Sequence, residues 1–131
     1  MIEQKLIVID DDKITHFILK KMFERNQFFQ SPTFFEKATD AISFLKKEYK
    51  SSERYLIFLD INMPVMNGWQ FLDEVSNLFS NSNLSVVMIS SSSDEIDATK
   101  ASKDKFVIHF ITKPLTNDDL LVIQEKCKNA I

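Results

Sequence analysis

Four stretches of almost unbroken apolar character punctuate the chain, at residues 5–9, 55–59, 84–89 and 106–111. They do not alternate between polar and apolar positions. Continuous β-branched and aromatic runs of this length predict strands covered on both faces, as in the parallel sheet of an α/β protein. Residues 32–35 predict a fifth, weaker strand. The intervals carry helical spacing instead. Ile14, Phe17, Ile18 and Met22 form one apolar stripe, Ala38, Ala41, Ile42 and Leu45 a second, and Phe71, Leu72, Val75, Leu78 and Phe79 a third. Each is expected to cover a sheet face. The interval 93–103 is more polar, with only Ile96, Ala98 and Ala101 as anchors, and predicts a loosely packed, mobile helix. A last helix, with Leu120, Ile123 and Cys127 on one face, is expected to begin at Thr116, where Thr116 and Asp119 have the spacing of a capping box.

Strands alternating with helices, joined by right-handed crossovers, define a doubly wound α/β fold with a five-stranded parallel sheet. The length of 131 residues suits one domain, 1–131, without a linker or internal repeat. No apolar run approaches the roughly 20 residues needed to cross a bilayer, and the N-terminus lacks a signal-peptide pattern, so a soluble, cytoplasmic protein is expected. A net charge of −3 with dispersed Lys and Arg gives no basic stripe for nucleic acid. The single cysteine, Cys127, is expected to pack in the core. Gly68, the only glycine, should mark a backbone constraint.

The chemistry gathers where such sheets bind ligands, beyond the carboxyl ends of the strands. Asp10, Asp11 and Asp12 follow the first predicted strand, Asp60 the third, Ser90 the fourth and Lys113 the fifth. The topology brings these together although they span about 100 residues. Clustered carboxylates raise one another's pKa unless a cation compensates. An all-oxygen donor set in an open site suits Mg2+ better than a calcium cage. No Cys/His set offers a zinc site, and His16 and His109 are read as structural or surface residues. Asp12 is read as the N-cap of the first helix. An aspartate beside a metal, a hydroxyl and an ammonium can attack phosphorus, giving an aspartyl phosphate. The metal, Lys113 and Ser90 would then stabilise the phosphoryl oxygens.

Taken together, Val8-Ile9-Asp10-Asp11, Phe58-Leu59-Asp60-Ile61-Asn62-Met63-Pro64 with Asn67-Gly68, Met88-Ile89-Ser90-Ser91 and Phe110-Ile111-Thr112-Lys113-Pro114 resemble the receiver domains of two-component response regulators. The resemblance runs from about Lys5 to Cys127. It implies the flavodoxin-like receiver fold with strand order 2-1-3-4-5, the order that chemotaxis members of the family exemplify. It also implies that Asp60 is the phosphoacceptor, that Asp11 and Asp60 ligate Mg2+ with Asp10 acting through water, and that Asn62 adds its backbone carbonyl. Ser90 would be the switch hydroxyl, Lys113 the partner of the phosphoryl group and Phe110 the aromatic switch, although Phe110 also reads as ordinary core. The Lys113-Pro114 bond would be cis.

The implied function is a signalling switch, not a conventional enzyme, although it would catalyse its own phosphorylation and dephosphorylation. A sensor histidine kinase or histidine phosphotransfer protein would supply the phosphate. With no output domain expected, a downstream protein partner would read residues 95–110 and 116–127, or phosphate would be relayed to another histidine. Two rival readings are weaker. An aspartate-based phosphatase resembling the haloacid dehalogenase family wants a second carboxylate two residues after the nucleophile, where Asn62 stands. A degenerate receiver serving only as an interaction module does not need the full Asp10, Asp11, Asp60, Ser90 and Lys113 set. Ser92 and Asn62 occupy positions that control water access in relatives. Lys103-Asp104-Lys105 replaces the glycine common before the last strand, so the loop there is expected to differ in shape.

Overall fold

The computed structural model describes residues 4–91 and 95–129. Five strands alternate with five helices: β1 (Gln4–Ile9), α1 (Lys13–Arg25), β2 (Thr33–Phe35), α2 (Ala38–Glu48), β3 (Arg54–Asp60), α3 (Gly68–Leu78), β4 (Leu84–Ser90), α4 (Glu95–Ser102), β5 (Val107–Thr112) and α5 (Asn117–Asn129). All neighbouring strands are parallel, in the order β2-β1-β3-β4-β5. This is the flavodoxin-like receiver fold. Among the described residues no helix is long and apolar enough to cross a membrane.

The continuous apolar runs are explained by burial on both sides. Alternate residues of the central strands enter two separate cores. Ile7, Ile9, Ile57, Leu59, Val86 and Met88 face α2, α3 and α4, where they meet Leu45, Phe71, Val75 and Ala101. Leu6, Val8, Leu56, Phe58, Val87 and Ile89 face α1 and α5, where they meet Leu19, Phe23, Leu120, Ile123 and Cys127. With no polar face, these strands can lie only inside a layered structure.

Helix starts follow local chemistry. Asp12 caps α1 by accepting the Ile14 amide at 2.9 Å. Asn67 and Gln70 form a reciprocal capping box at α3. At α5, Thr116 Oγ1 accepts the Asp119 amide and Asp119 accepts the Thr116 amide, as their spacing predicted. The last strand begins at Val107, one residue later than expected, where Asp104 Oδ1 accepts the Phe106 amide at 2.8 Å. This side-chain turn builds the glycine-free loop, and the β4–β5 register slips between Val86 and Val87.

Helix α1 corrects the expected pattern. Ile14, Phe17 and Ile18 are 69%, 63% and 46% exposed, whereas Leu19 and Phe23 are buried. Two overlapping stripes satisfy helical spacing in this segment, and tertiary packing selects the second. Phe23 lies edge-on to Phe58 and tilted against Phe29, contacts that no local pattern reveals. In α3, Leu78 is likewise 45% exposed. Urea unfolding checks the α1 assignment: Leu19→Ala should cost about 2–4 kcal/mol as a core truncation, whereas Phe17→Ala should change stability by no more than about 0.5 kcal/mol.

Candidate functional site

The carboxyl ends of β1, β3, β4 and β5 deliver the predicted residues to one crevice. Asp10 follows β1, Asp60 and Ser90 end β3 and β4, and Lys113 follows β5. The three strand-end residues Asp10, Asp60 and Ser90 are at most 3% exposed. Backbone bonds lock the loops that leave these strands. The Asp10 amide donates to Phe35 O at 3.0 Å, Ile61 to Ile89 O at 3.0 Å and Lys113 to Ser90 O at 2.8 Å. The last of these ties the Ser90 backbone to that of Lys113. The Lys113-Pro114 peptide is cis.

Carboxylate oxygens of Asp10, Asp11 and Asp60 lie within 4.8 Å of one another. Asp10 Oδ1 accepts the Asp12 amide at 2.9 Å, and Asp60 Oδ1 accepts the Asn62 amide at 3.1 Å. Lys113 Nζ stands 3.0 Å from Asp10 Oδ2. That oxygen is buried, and Lys113 is its one partner among the described residues. One ammonium thus faces three carboxylates. The donor set is hard, anionic and incompletely satisfied, which fits a divalent cation of the magnesium type and gives no purchase to a soft metal.

Charge crowding appears in the titration of the site. Burial, and then the neighbouring Asp10 carboxylate, push Asp60 up from 3.8 to about 7, against the pull of Lys113 and the Asn62 amide. Burial alone would lower the Lys113 ammonium. Its hydrogen bond to Asp10 and the charges of Asp10, Asp60 and Asp12 outweigh that effect and raise it above the ordinary lysine value.

Gly68 meets its constraint here. A side chain on it would place Cβ 2.9 Å from both Asp60 O and Ile61 Cα, and its amide donates to Ile61 O at 2.9 Å. Close approach, not a special φ, therefore requires glycine. The unusual φ belongs to Val65, at +69° and 94% exposed. A β-branched residue in the left-handed region is strained by roughly 1–2 kcal/mol, and nothing in the linear pattern signals it. Phe110 is half-buried against the α2–α3–α4 core.

The remaining candidates lie elsewhere. The His16 ring packs on Phe34, 4.9 Å away. His109 lies between Asp119 and Lys126 on α5, 3.7 and 3.1 Å away, and burial together with Lys126 lowers its pKa. Neither joins the carboxylate cluster. Ser92 and the predicted helix start at Ser93 lie outside the described residues.

Comparison with known proteins identifies the family and agrees with the fold. The family model described as the response regulator receiver domain matches residues 6–124, and the chain belongs to that family, a class of signalling switches in two-component systems. Among curated relatives, an uncharacterized response regulatory protein of Staphylococcus epidermidis is 28% identical over 88% of this chain and 43% of its own. The transcriptional regulatory protein HptR of Staphylococcus aureus is 27% identical over 91% and 44%. The chain thus spans less than half the length of these relatives. A solved two-component response regulator from Cytophaga hutchinsonii superposes with a TM-score of 0.87 at 26% identity, covering 98% of this chain and 99% of that one.

The raised pKa of Asp60 has a definite sign in stability. Between pH 3.8 and about 7 the folded protein holds a proton that the unfolded chain has released, so metal-free stability falls as pH rises through that window. In chelator, Asp60→Asn should therefore be more stable than wild type at pH 8, by on the order of 2 kcal/mol. The gain should vanish near pH 4, as read by urea denaturation at both pH values.

Proposed function

We propose that this chain is a phosphoryl-accepting switch of a two-component phosphorelay, with Asp60 as the acceptor. The observation that carries the reading is the buried Asp60 carboxylate set beside Asp10 and Asp11, with the Lys113 ammonium 3.0 Å from Asp10. A sensor histidine kinase or a histidine phosphotransfer protein is the donor. A carboxylate oxygen of Asp60 attacks phosphorus, a P–O bond forms, and the P–N bond to the donor imidazole breaks.

Asp11, Asp60 and the Asn62 carbonyl, with Asp10 acting through water, would hold Mg2+, which would supply the positive charge that spreading phosphoryl charge requires. Asp60 must be ionised to attack, and Lys113 favours that form. Once the phosphoryl group is in place, the Lys113 ammonium exchanges its contact with Asp10 for a phosphoryl oxygen, and the Ser90 hydroxyl donates to another. Phe110, half-buried at the edge of the core, turns inward as Ser90 moves. The surface formed by α4, β5 and α5 is then altered for a downstream protein partner. This is a shift between two populations, which needs only a few kcal/mol of preference. The exposed row Ile14, Phe17 and Ile18 begins at the crevice end of α1 and suits docking of the donor protein.

Intact-mass spectrometry after incubation with Mg2+ and a small acyl phosphate is the test. Wild type should gain about 80 Da, the mass of one phosphoryl group, and the gain should require Mg2+ and vanish in Asp60→Asn. A wild-type protein that neither gains this mass nor forms a beryllofluoride complex would leave only an interaction module.

A further inference from the structure

Helix α4 is poorly anchored by its own sequence. It has eight residues, of which Ala101 is the one described as buried, and Ile96 is 77% exposed. Two of its polar side chains attach to α3. Trp69 Nε1 donates to Asp97 Oδ1 at 3.2 Å, and Lys100 Nζ lies over the same indole, 4.4 Å from the ring centroid. Asp97 and Lys100 are three residues apart and share one helix face. The ring is thus gripped at its edge by an anion and on its π-face by a cation, the arrangement that suits the indole dipole and quadrupole.

The other end of this contact reaches the site. Trp69 directly follows Gly68, whose amide is bound to Ile61 O and whose Cα sits so close to the end of β3 that a Cβ would strike Asp60 O and Ile61 Cα. The Asn67–Gln70 capping box fixes the same turn. The backbone of residues 60 and 61 is thus packed and hydrogen-bonded directly against Gly68, one residue from the indole.

We propose that Trp69 is a mechanical clamp that couples the loop after Asp60 to α4. Its input rests on the phosphoacceptor reading, whereas the contacts of Trp69 with Asp97 and Lys100 do not. The clamp replaces the apolar face that α4 lacks, and its grip follows the position of the β3–α3 loop.

Hydrogen exchange of the full chain, read by mass spectrometry, tests it. Trp69→Phe keeps the ring and removes the donor, and Asp97→Ala removes the acceptor. Each should speed exchange in α4 by about three- to tenfold, the double variant should be no faster than the faster single one, and α2 and α5 should remain at wild-type rates. Unchanged α4 exchange, or single effects that multiply in the double variant, would overturn the proposal. Loading with Mg2+ and beryllofluoride then tests the coupling. Wild type should show altered α4 exchange and altered emission from Trp69, the only tryptophan, and Trp69→Phe should lose most of the α4 response. A full α4 response in Trp69→Phe would refute the coupling while leaving Asp60 as the acceptor. Absence of any complex at Asp60 would instead refute the acceptor reading, with the clamp judged on unliganded exchange alone.

Discussion

Two carboxylates buried side by side, Asp10 and Asp60, are the constraint on which the rest of this structure depends. Each is all but inaccessible, a third carboxylate from Asp11 lies within reach, and one lysine ammonium is the positive charge set against them. Burying like charges is unfavourable, and the folded chain registers this by holding Asp60 half-protonated near neutrality. A site in that condition is poised. A cation placed among these carboxylates would relieve their repulsion.

Holding such a crevice together requires a rigid frame around it. The frame is a sheet whose central strands are apolar on both faces, so that two cores grip β1 and β3 just before Asp10 and Asp60 emerge. Short backbone bonds then tie neighbouring loops into one rim, from Asp10 to Phe35, from Ile61 to Ile89 and from Lys113 to Ser90. The strained φ of Val65 falls in the loop that carries the chain from Asp60 into α3, and the close approach of Gly68 falls at the first residue of that helix. Strain in a loop beside a buried carboxylate persists only because well-packed strands support it.

Much of this arrangement was legible in the linear chain because it depends on local runs. Doubly buried strands look alike whatever surrounds them, and the position after each strand is fixed once the strand is found. Asp10, Asp60, Ser90 and Lys113 could therefore be placed together from sequence, as could the helix faces of α2 and α5. Helix α1 shows the limit. Ile14, Phe17 and Ile18 have the spacing of a buried face, yet Leu19 and Phe23 hold that place because Phe58 and Phe29 lie opposite. The same holds for Trp69 with Asp97 and Lys100, which meet only after α3 and α4 have packed. Contacts between distant helices leave no periodic trace, and a left-handed valine gives no compositional sign. The family resemblance supplied the strand order, which spacing alone does not determine.

The most direct test of the central claim is calorimetric titration of the metal-free protein with Mg2+ near pH 7, repeated in two buffers of different ionisation enthalpy. If the crowded carboxylates define the site, wild type binds one Mg2+ and releases a fraction of a proton as Asp60 ionises, and Asp60→Asn shows no such proton release. Absence of Mg2+ binding at millimolar concentration, or binding with the same proton release in Asp60→Asn, would contradict the account.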